Sequence, residues 1–237
     1  ALPLAIFSAV FAGALWGWIP GYLRARRGSH EVITTIMLNF VAAALASYVT
    51  LYWMKNPEVQ NPETLPVGPG YLLEKWNGFQ GAPLGGALFL VAAVVVLLWV
   101  WLGRSVSGFE LKVIGQNEKA AKFAGIPVER RQSWAMAIAG GLAGLVGVVE
   151  VLGNSGKFRP AFSPDYGFMG IAVALLGRGH PVGVFFSALL FGALHKGSVD
   201  LDFETEFVTR DISKVIQACV IFSVCAEGLW SRLRRKS

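Results

Sequence analysis

Residues 32–54 read VITTIMLNFVAAALASYVTLYWM, with no charged side chain among them. Written as an α-helix, the stretch rises about 1.5 Å per residue and is roughly 34 Å long. That exceeds a hydrocarbon core of about 30 Å. The run is apolar on every side, so it has no polar face for water, as a membrane span requires. Its polar residues come early. Thr34, Thr35 and Asn39 stand within the first eight positions, and Thr35 and Asn39 share a helix face at i,i+4. A polar group in a span needs a partner or a cavity. Two roles stay open for Thr35 and Asn39, a lining of a transport path and hydrogen bonds to neighbouring helices.

The surrounding chain has the same character. Of 237 residues, 54% are hydrophobic and 15% charged, against about 25% charged in a soluble domain. Residues 1–19, 84–102, 132–149 and 212–230 are further candidate spans. Trp99 and Trp101 mark one end of 84–102 as interface anchors. The span 132–149 carries Gly140 and Gly144, and also Ala143 and Gly147, at the four-residue spacing that lets helix backbones approach closely. Cys219 and Cys225 lie in the last apolar stretch and read as packing residues rather than a disulfide or metal site. The opening segment is too long for a signal peptide, and an N-terminal portion is expected before Ala1.

Residues 166–195 break the pattern. Two apolar runs, Tyr166 to Gly177 and Val182 to Leu194, flank GRGHP. Neither is long enough to cross, so the stretch predicts a re-entrant hairpin or a pair of short helices. Charge supports a return to the same side. Thirteen of the 21 basic residues fall in 20–30, 103–131 and the tail after 230, and seven fall in the alternate loops. The positive-inside rule places the first group in the cytoplasm, and the alternation holds only if 166–195 enters and leaves by the outer face. Arg178 and His180 at the hairpin tip either need buried partners or reach the inner interface.

Within the basic loop lies GQNEKAAKFAGIP, 115–127. Asn117 suits an N-cap, Glu118 and Lys122 form an i,i+4 pair, Gly125 suits the left-handed C′ position and Pro127 stops continuation. Two turns of helix are marginal alone in water. Lys119 and Lys122 would let such a helix rest on a lipid surface, although Ala120, Ala121 and Ala124 bury little area there.

Three stretches carry a family resemblance: EVITTIMLNF (31–40), GQNEKAAKFAGIP (115–127) and FSPDYGFMGIAVALLGRGHPVG (162–183). The chain resembles permease subunits of bacterial ABC importers in the branched-chain amino acid, ribose and nucleoside permease superfamily, most of all its simple sugar and nucleoside group. His30, Glu118 and Asp165 stand where that pattern often has Asn, Pro and Gly. The resemblance implies an all-α polytopic transmembrane helical bundle over 1–237, a single permease domain. Residues 103–131 would be its cytoplasmic coupling loop, in a bacterial inner-membrane protein. It implies that Asn117, Glu118, Lys119, Ala120, Ala121, Lys122, Phe123, Ala124 and Gly125 dock in a cleft of an ATP-binding cassette ATPase subunit, with Phe123 as an aromatic knob. A second permease subunit and a periplasmic or lipoprotein substrate-binding protein are the other partners expected. No P-loop, HExxH or GxSxG motif is present, so no enzyme, cofactor or nucleic-acid role is expected, and ATP would bind the partner subunit.

Glu150, ending the glycine-rich span, is a candidate for the substrate path or for pairing with Lys157 or Arg159. Tyr166 and Phe168 would stack a sugar or base ring, or sit in the interfacial belt. Branched-chain amino acids as cargo, and an ion-coupled secondary transporter built on Glu150 and the hairpin, are the alternatives.

Overall fold

The computed structural model describes residues 2–73, 85–160, 162 and 166–204, with a few positions between 215 and 222. The predicted span 212–230 and the basic tail lie outside the described residues, apart from those few positions. The described chain is all-α, with no strand beyond one isolated bridge between Lys55 and Thr64. Four of its helices are long and apolar enough to cross a membrane. By internal contacts it forms two compact units, residues 1–93 with 100–162, and residues 94–99 with 163–237.

The first unit is organised by helix α1 (Leu2–Arg27) and helix α6 (Val128–Val148), which run antiparallel with their backbones nearly touching. Gly13, Gly17 and Gly21 repeat every four residues along α1 and face Gly144, Gly140, Met136 and Ser133 in reverse order. A Cβ added at Gly17 would lie 2.6 Å from the Met136 carbonyl oxygen, and one at Gly140 would run into the carbonyl of Gly13. No side chain fits there. Small residues allow this approach, and close van der Waals packing then holds the pair in a solvent of lipid tails. Ser133 closes one end of the seam, donating its hydroxyl to Gly21 O at 3.2 Å. The second small-residue pair predicted on α6 is not used this way among the described residues, where Gly147 has no neighbour within 4 Å of its Cβ position.

The boundaries differ from the sequence reading at several points. α1 does not stop at residue 19. It runs through Pro20, so Arg24, Arg26 and Arg27 form its last turn, where cations complement the helix dipole. Gly28, at φ 62°, ends it. Helix α2 (Glu31–Tyr52) and helix α3 (Gly86–Arg104) match the predicted spans closely. Residues 106–116, read as loop, form helix α4 (Val106–Gln116). Ser105 caps it by accepting from Gly108 N at 3.0 Å. Gly108 also lets α4 fold back on α3, since a Cβ there would sit 2.6 Å from Leu102 Cα. Beyond α6 the chain continues as a π-helical segment, Val149–Ser155, which ends at left-handed Gly156.

Two ends of this unit are distinct. At one, Arg24 pairs with Glu31, and the Arg24 charge also reaches Glu118. At the other, the loop after α2 lies on the segment after α6. Thr64 N donates to Phe158 O (3.0 Å), Val67 N to Gly156 O (2.8 Å) and Leu73 N to Leu152 O (2.9 Å).

The second unit contains helix α7 (Tyr166–Leu176) and helix α8 (Pro181–Glu204), a helical hairpin. Phe191 packs on Ala172 and Val173, with Leu176 and Val184 beside them. The turn between is Gly177–His180, with Arg178 and Gly179 both at positive φ. Gly177 is required by proximity: a Cβ would stand 2.5 Å from Val184 N. α8 runs ten residues past the predicted Leu194, carried by its Lys196–Asp200 i,i+4 pair. So α7 is short as predicted and α8 is not.

Candidate functional site

Helix α5 (Glu118–Phe123) forms between α4 and α6 with the punctuation its sequence carries. Asn117 Oδ1 accepts from Ala120 N at 3.1 Å. Lys122 Nζ lies 3.0 Å from Glu118 Oε1, and that hydrogen bond is the main cause holding the Glu118 carboxyl below its ordinary pKa. Gly125 is left-handed at φ 78°. Its N–H donates to Lys122 O, and Ile126 N–H donates to Ala121 O. This is the paired closure that ends helices at a glycine.

What anchors α5 is Ala121. It is fully buried within the chain, and so is Val128 nearby at the start of α6. This corrects one part of the predicted surface. Ala121 does not belong to an exposed small-residue face: it is the one buried residue of α5, turned toward its own chain. Lys119, Ala120, Lys122, Ala124 and Gly125 are exposed, and Phe123 is 93% exposed. An aromatic ring thus stands in the open on a helix otherwise finished. The base beneath it is tied laterally: Arg131 of α6 pairs with Glu110 of α4 and donates to Ser107 Oγ at 3.1 Å.

The predicted path residues are distributed. Thr35 is half-buried one turn into α2 and donates its hydroxyl to Glu31 O (2.9 Å) and Val32 O (3.0 Å). Thr34 does the same to His30 O. Both threonines are therefore satisfied by their own helix. Asn39 is exposed, with no partner among the described residues. Glu150 lies at the opposite end of the unit, in the π-helical segment, and accepts from Asn154 Nδ2 at 3.0 Å. Tyr166 and Phe168 belong to the second unit, on the exposed first turn of α7.

Of the two roles open to Glu150, the pairing with Lys157 or Arg159 is not made among the described residues. Both cations bind Glu63, Lys157 at 2.5 Å and Arg159 at 3.0 Å. The Glu63 side chain is only 6% exposed, and Lys157 above all holds its carboxyl below the ordinary carboxylate range. This clamp was missed. Its one signal was a lone acid between two prolines, NPETLP, in a loop whose basic partners lie more than ninety residues on. Among the described residues no His, Cys, Asp and Glu group could hold a metal.

Comparison with known proteins now bears on this arrangement. Residues 1–225 match the family described as branched-chain amino acid transport system / permease component. This chain belongs to that family. It is 36% identical to the guanosine ABC transporter permease protein NupP of Bacillus subtilis, over 99% of this chain and 69% of that protein. It is 35% identical to the glucose ABC transporter permease protein of Haloferax volcanii, over 98% and 63%. It is 33% identical to the nucleoside ABC transporter permease protein NupB of Lactococcus lactis, over 95% and 64%. The chain thus spans about two thirds of the length of these relatives. No solved structure matches it. With the family and its four apolar helices, it is a multi-pass membrane protein.

Proposed function

We propose that this chain forms part of the permease subunit of an ABC importer for a nucleoside or simple sugar. The 237 residues act as one permease domain, with 103–131 as its cytoplasmic coupling loop. The observation that carries the reading is Phe123: a ring 93% exposed on a short helix whose caps and ion pair are all supplied locally. Nothing in the fold of α5 uses that ring. A groove on an ATP-binding subunit would bury it as an anchor, at little cost in side-chain entropy. The names of the relatives, which are guanosine, nucleoside and glucose ABC permeases, support the same reading and favour those cargo classes over branched-chain amino acids.

The route of force follows from the contacts. Ala121 fixes α5 to its own chain, the Glu110–Arg131 pair ties α4 to α6, and the glycine seam joins α6 to α1. A push on α5 moves this assembly as a rigid body rather than bending it. Such movement converts closure of a pair of ATPase subunits into alternating access. The arginine-rich end then faces the cytoplasm, and a binding protein delivers cargo at the Glu63 end of a plasma-membrane permease. No covalent chemistry is assigned to this chain.

The test uses the full-length permease in membranes, with Cys219→Ser, Cys225→Ser and Phe123→Cys, against single cysteines on the ATP-binding subunit. A crosslink whose yield changes with ATP is expected, while Ala121→Cys, buried, gives none. Labelling of position 123 by lipid-phase probes, with no crosslink, would instead make α5 a helix resting on the bilayer.

A further inference from the structure

At the start of α6 lie two clefts that share Arg131 and Trp134, the second of which reaches α4 and the end of α3. The first, about 290 Å³, is lined by Pro127, Arg130, Arg131 and Trp134. The second, about 160 Å³, is mostly apolar, with Trp101, Leu111 and Ile138 in its walls. A cationic rim thus opens directly onto an apolar throat. The charges on the rim are unequal. Arg131 is neutralised by Glu110, whereas exposed Arg130 has no acidic partner among the described residues. Neighbouring Glu129 lines neither cleft. One positive charge is left over. The start of α6 adds to it, since its N-cap is Pro127, which makes no side-chain cap, and a helix N-terminus favours an anion.

Position relative to the bilayer points the same way. Trp101 ends the apolar run of α3 just before Arg104, and Trp134 follows Arg130 and Arg131 by one turn, so both indoles stand at the height where apolar meets charged sequence. α4 is amphipathic about the same level. Ser107 and Leu111 line the cleft, while Val106 and Phe109 are exposed on another side, at 72% and 64%. Exposed apolar side chains beside an interfacial cleft are what a helix half-sunk in lipid presents.

We propose that this cleft binds an anionic phospholipid. Arg130 holds the phosphate headgroup, with Arg131 kept in place by Glu110 and Ser107 as the second wall, and the upper part of one acyl chain enters the throat between Trp101 and Ile138. A basic pocket between membrane helices suits such a headgroup. The larger cleft is near the small end of the usual range for ligand sites, which fits a headgroup and not a whole lipid. Because Arg131 also braces α4 against α6, the lipid sits on the joint that carries α5. The site does not depend on α5 docking to any partner.

The experiment is quenching of Trp134 fluorescence in phosphatidylcholine vesicles holding the full-length permease. Trp134 is isolated as the difference from Trp134→Phe. Dibrominated phosphatidylglycerol is compared with dibrominated phosphatidylcholine at equal fractions. Phosphatidylglycerol is expected to quench with a preference of about fivefold, the factor one cation near an anionic surface contributes. Arg130→Gln removes the preference and Lys112→Gln, the same charge lost from α4, keeps it. Equal quenching by the two lipids overturns the proposal, and so does a preference that survives Arg130→Gln. Competition by inorganic phosphate would make this a soluble-anion site instead. Loss of ATP-binding-subunit capture in Arg130→Gln with no lipid preference would make it a protein contact.

Discussion

The α1–α6 seam and helix α2 are built from helices of similar apolarity, and they end in opposite conditions. α1 and α6 meet backbone to backbone through Gly13, Gly17, Gly140 and Gly144. α2 has Thr50 as its one buried residue, and it leaves Ile33, Met37, Phe40 and Tyr48 largely exposed. Apolarity therefore decides that a helix enters the bilayer. It does not decide what the helix packs against. That second decision belongs here to glycines at four-residue intervals; α2 has Ala42 and Ala46 at that spacing but no glycine. Closed positions should consequently govern stability, and open ones should govern activity.

The largest effect should come from breaking the seam. Gly140→Leu places a side chain where the Gly13 carbonyl stands, and overpacking of this kind costs about 3 kcal/mol. Gly147→Leu, on the same helix with open space around it, should stay within about 0.5 kcal/mol of the parent. Thermal unfolding of the full-length permease in detergent measures both. Equal losses would mean that the close approach of α1 to α6 does not carry stability.

Phe123 supplies the converse case. Phe123→Ala should weaken capture of the ATP-binding subunit about thirtyfold, the effect of losing an anchor of roughly 2 kcal/mol. It should leave the unfolding midpoint unchanged, since so exposed a ring packs on little of its own chain. Ala121→Phe should do the reverse through local overpacking. A fall in stability with Phe123→Ala, at unchanged affinity, would place the ring on the closed side of the comparison.

The Glu63 clamp is a closed element outside the helices, and its prediction is a pH dependence. Its carboxyl titrates below the ordinary carboxylate value of 4.5. The unfolded carboxyl therefore binds protons more readily than the folded one, so folding is favoured above the ordinary value. That contribution disappears as pH falls through the depressed value. Hydrogen-exchange protection of the Thr64 and Val67 amides, which bond to Phe158 and Gly156, should hold at neutral pH and decline below about 4.5. Glu63→Gln should lower it at neutral pH and converge on the parent at low pH, where the parent carboxyl is protonated. A flat profile identical in the variant would show that the backbone bonds hold this loop alone.

How much of this was legible in the sequence divides along a physical line. The ends of α5 were readable because Asn117, Glu118, Lys122, Gly125 and Pro127 act within a few residues of one another. The hairpin turn was readable for the same reason. α4 was not: its cap, Ser105, is local, but the basic run around it reads as a solvated loop. Half of the glycine seam was visible on α6. Its complement on α1 lies more than a hundred residues away, where Gly13 and Gly17 read as part of a charge-free run and Gly21 as part of the loop after it. Glu63 and its two cations meet only after α2 and α6 are placed. The burial of Ala121 and exposure of Phe123 depend on which way a two-turn helix faces, and its own sequence leaves that open.

The smallest expected effect, and the sharpest use of the comparison, concerns Asn39. Thr35 shares its face but bonds to its own helix, so Thr35→Val should change uptake little. Asn39 is exposed, with no partner among the described residues. An amide facing lipid is costly, so in the membrane it must meet either water in a transport path or a polar group of another helix. The two cases separate in Asn39→Leu. In a path, uptake or cargo-stimulated ATPase shifts several-fold while abundance holds. At a helix contact, the loss is one interhelical bond of about 0.6 kcal/mol, which lowers abundance and leaves turnover per folded permease intact. α2 was left bare by the rest of its own unit, and only the first outcome would make that bareness part of the transport path.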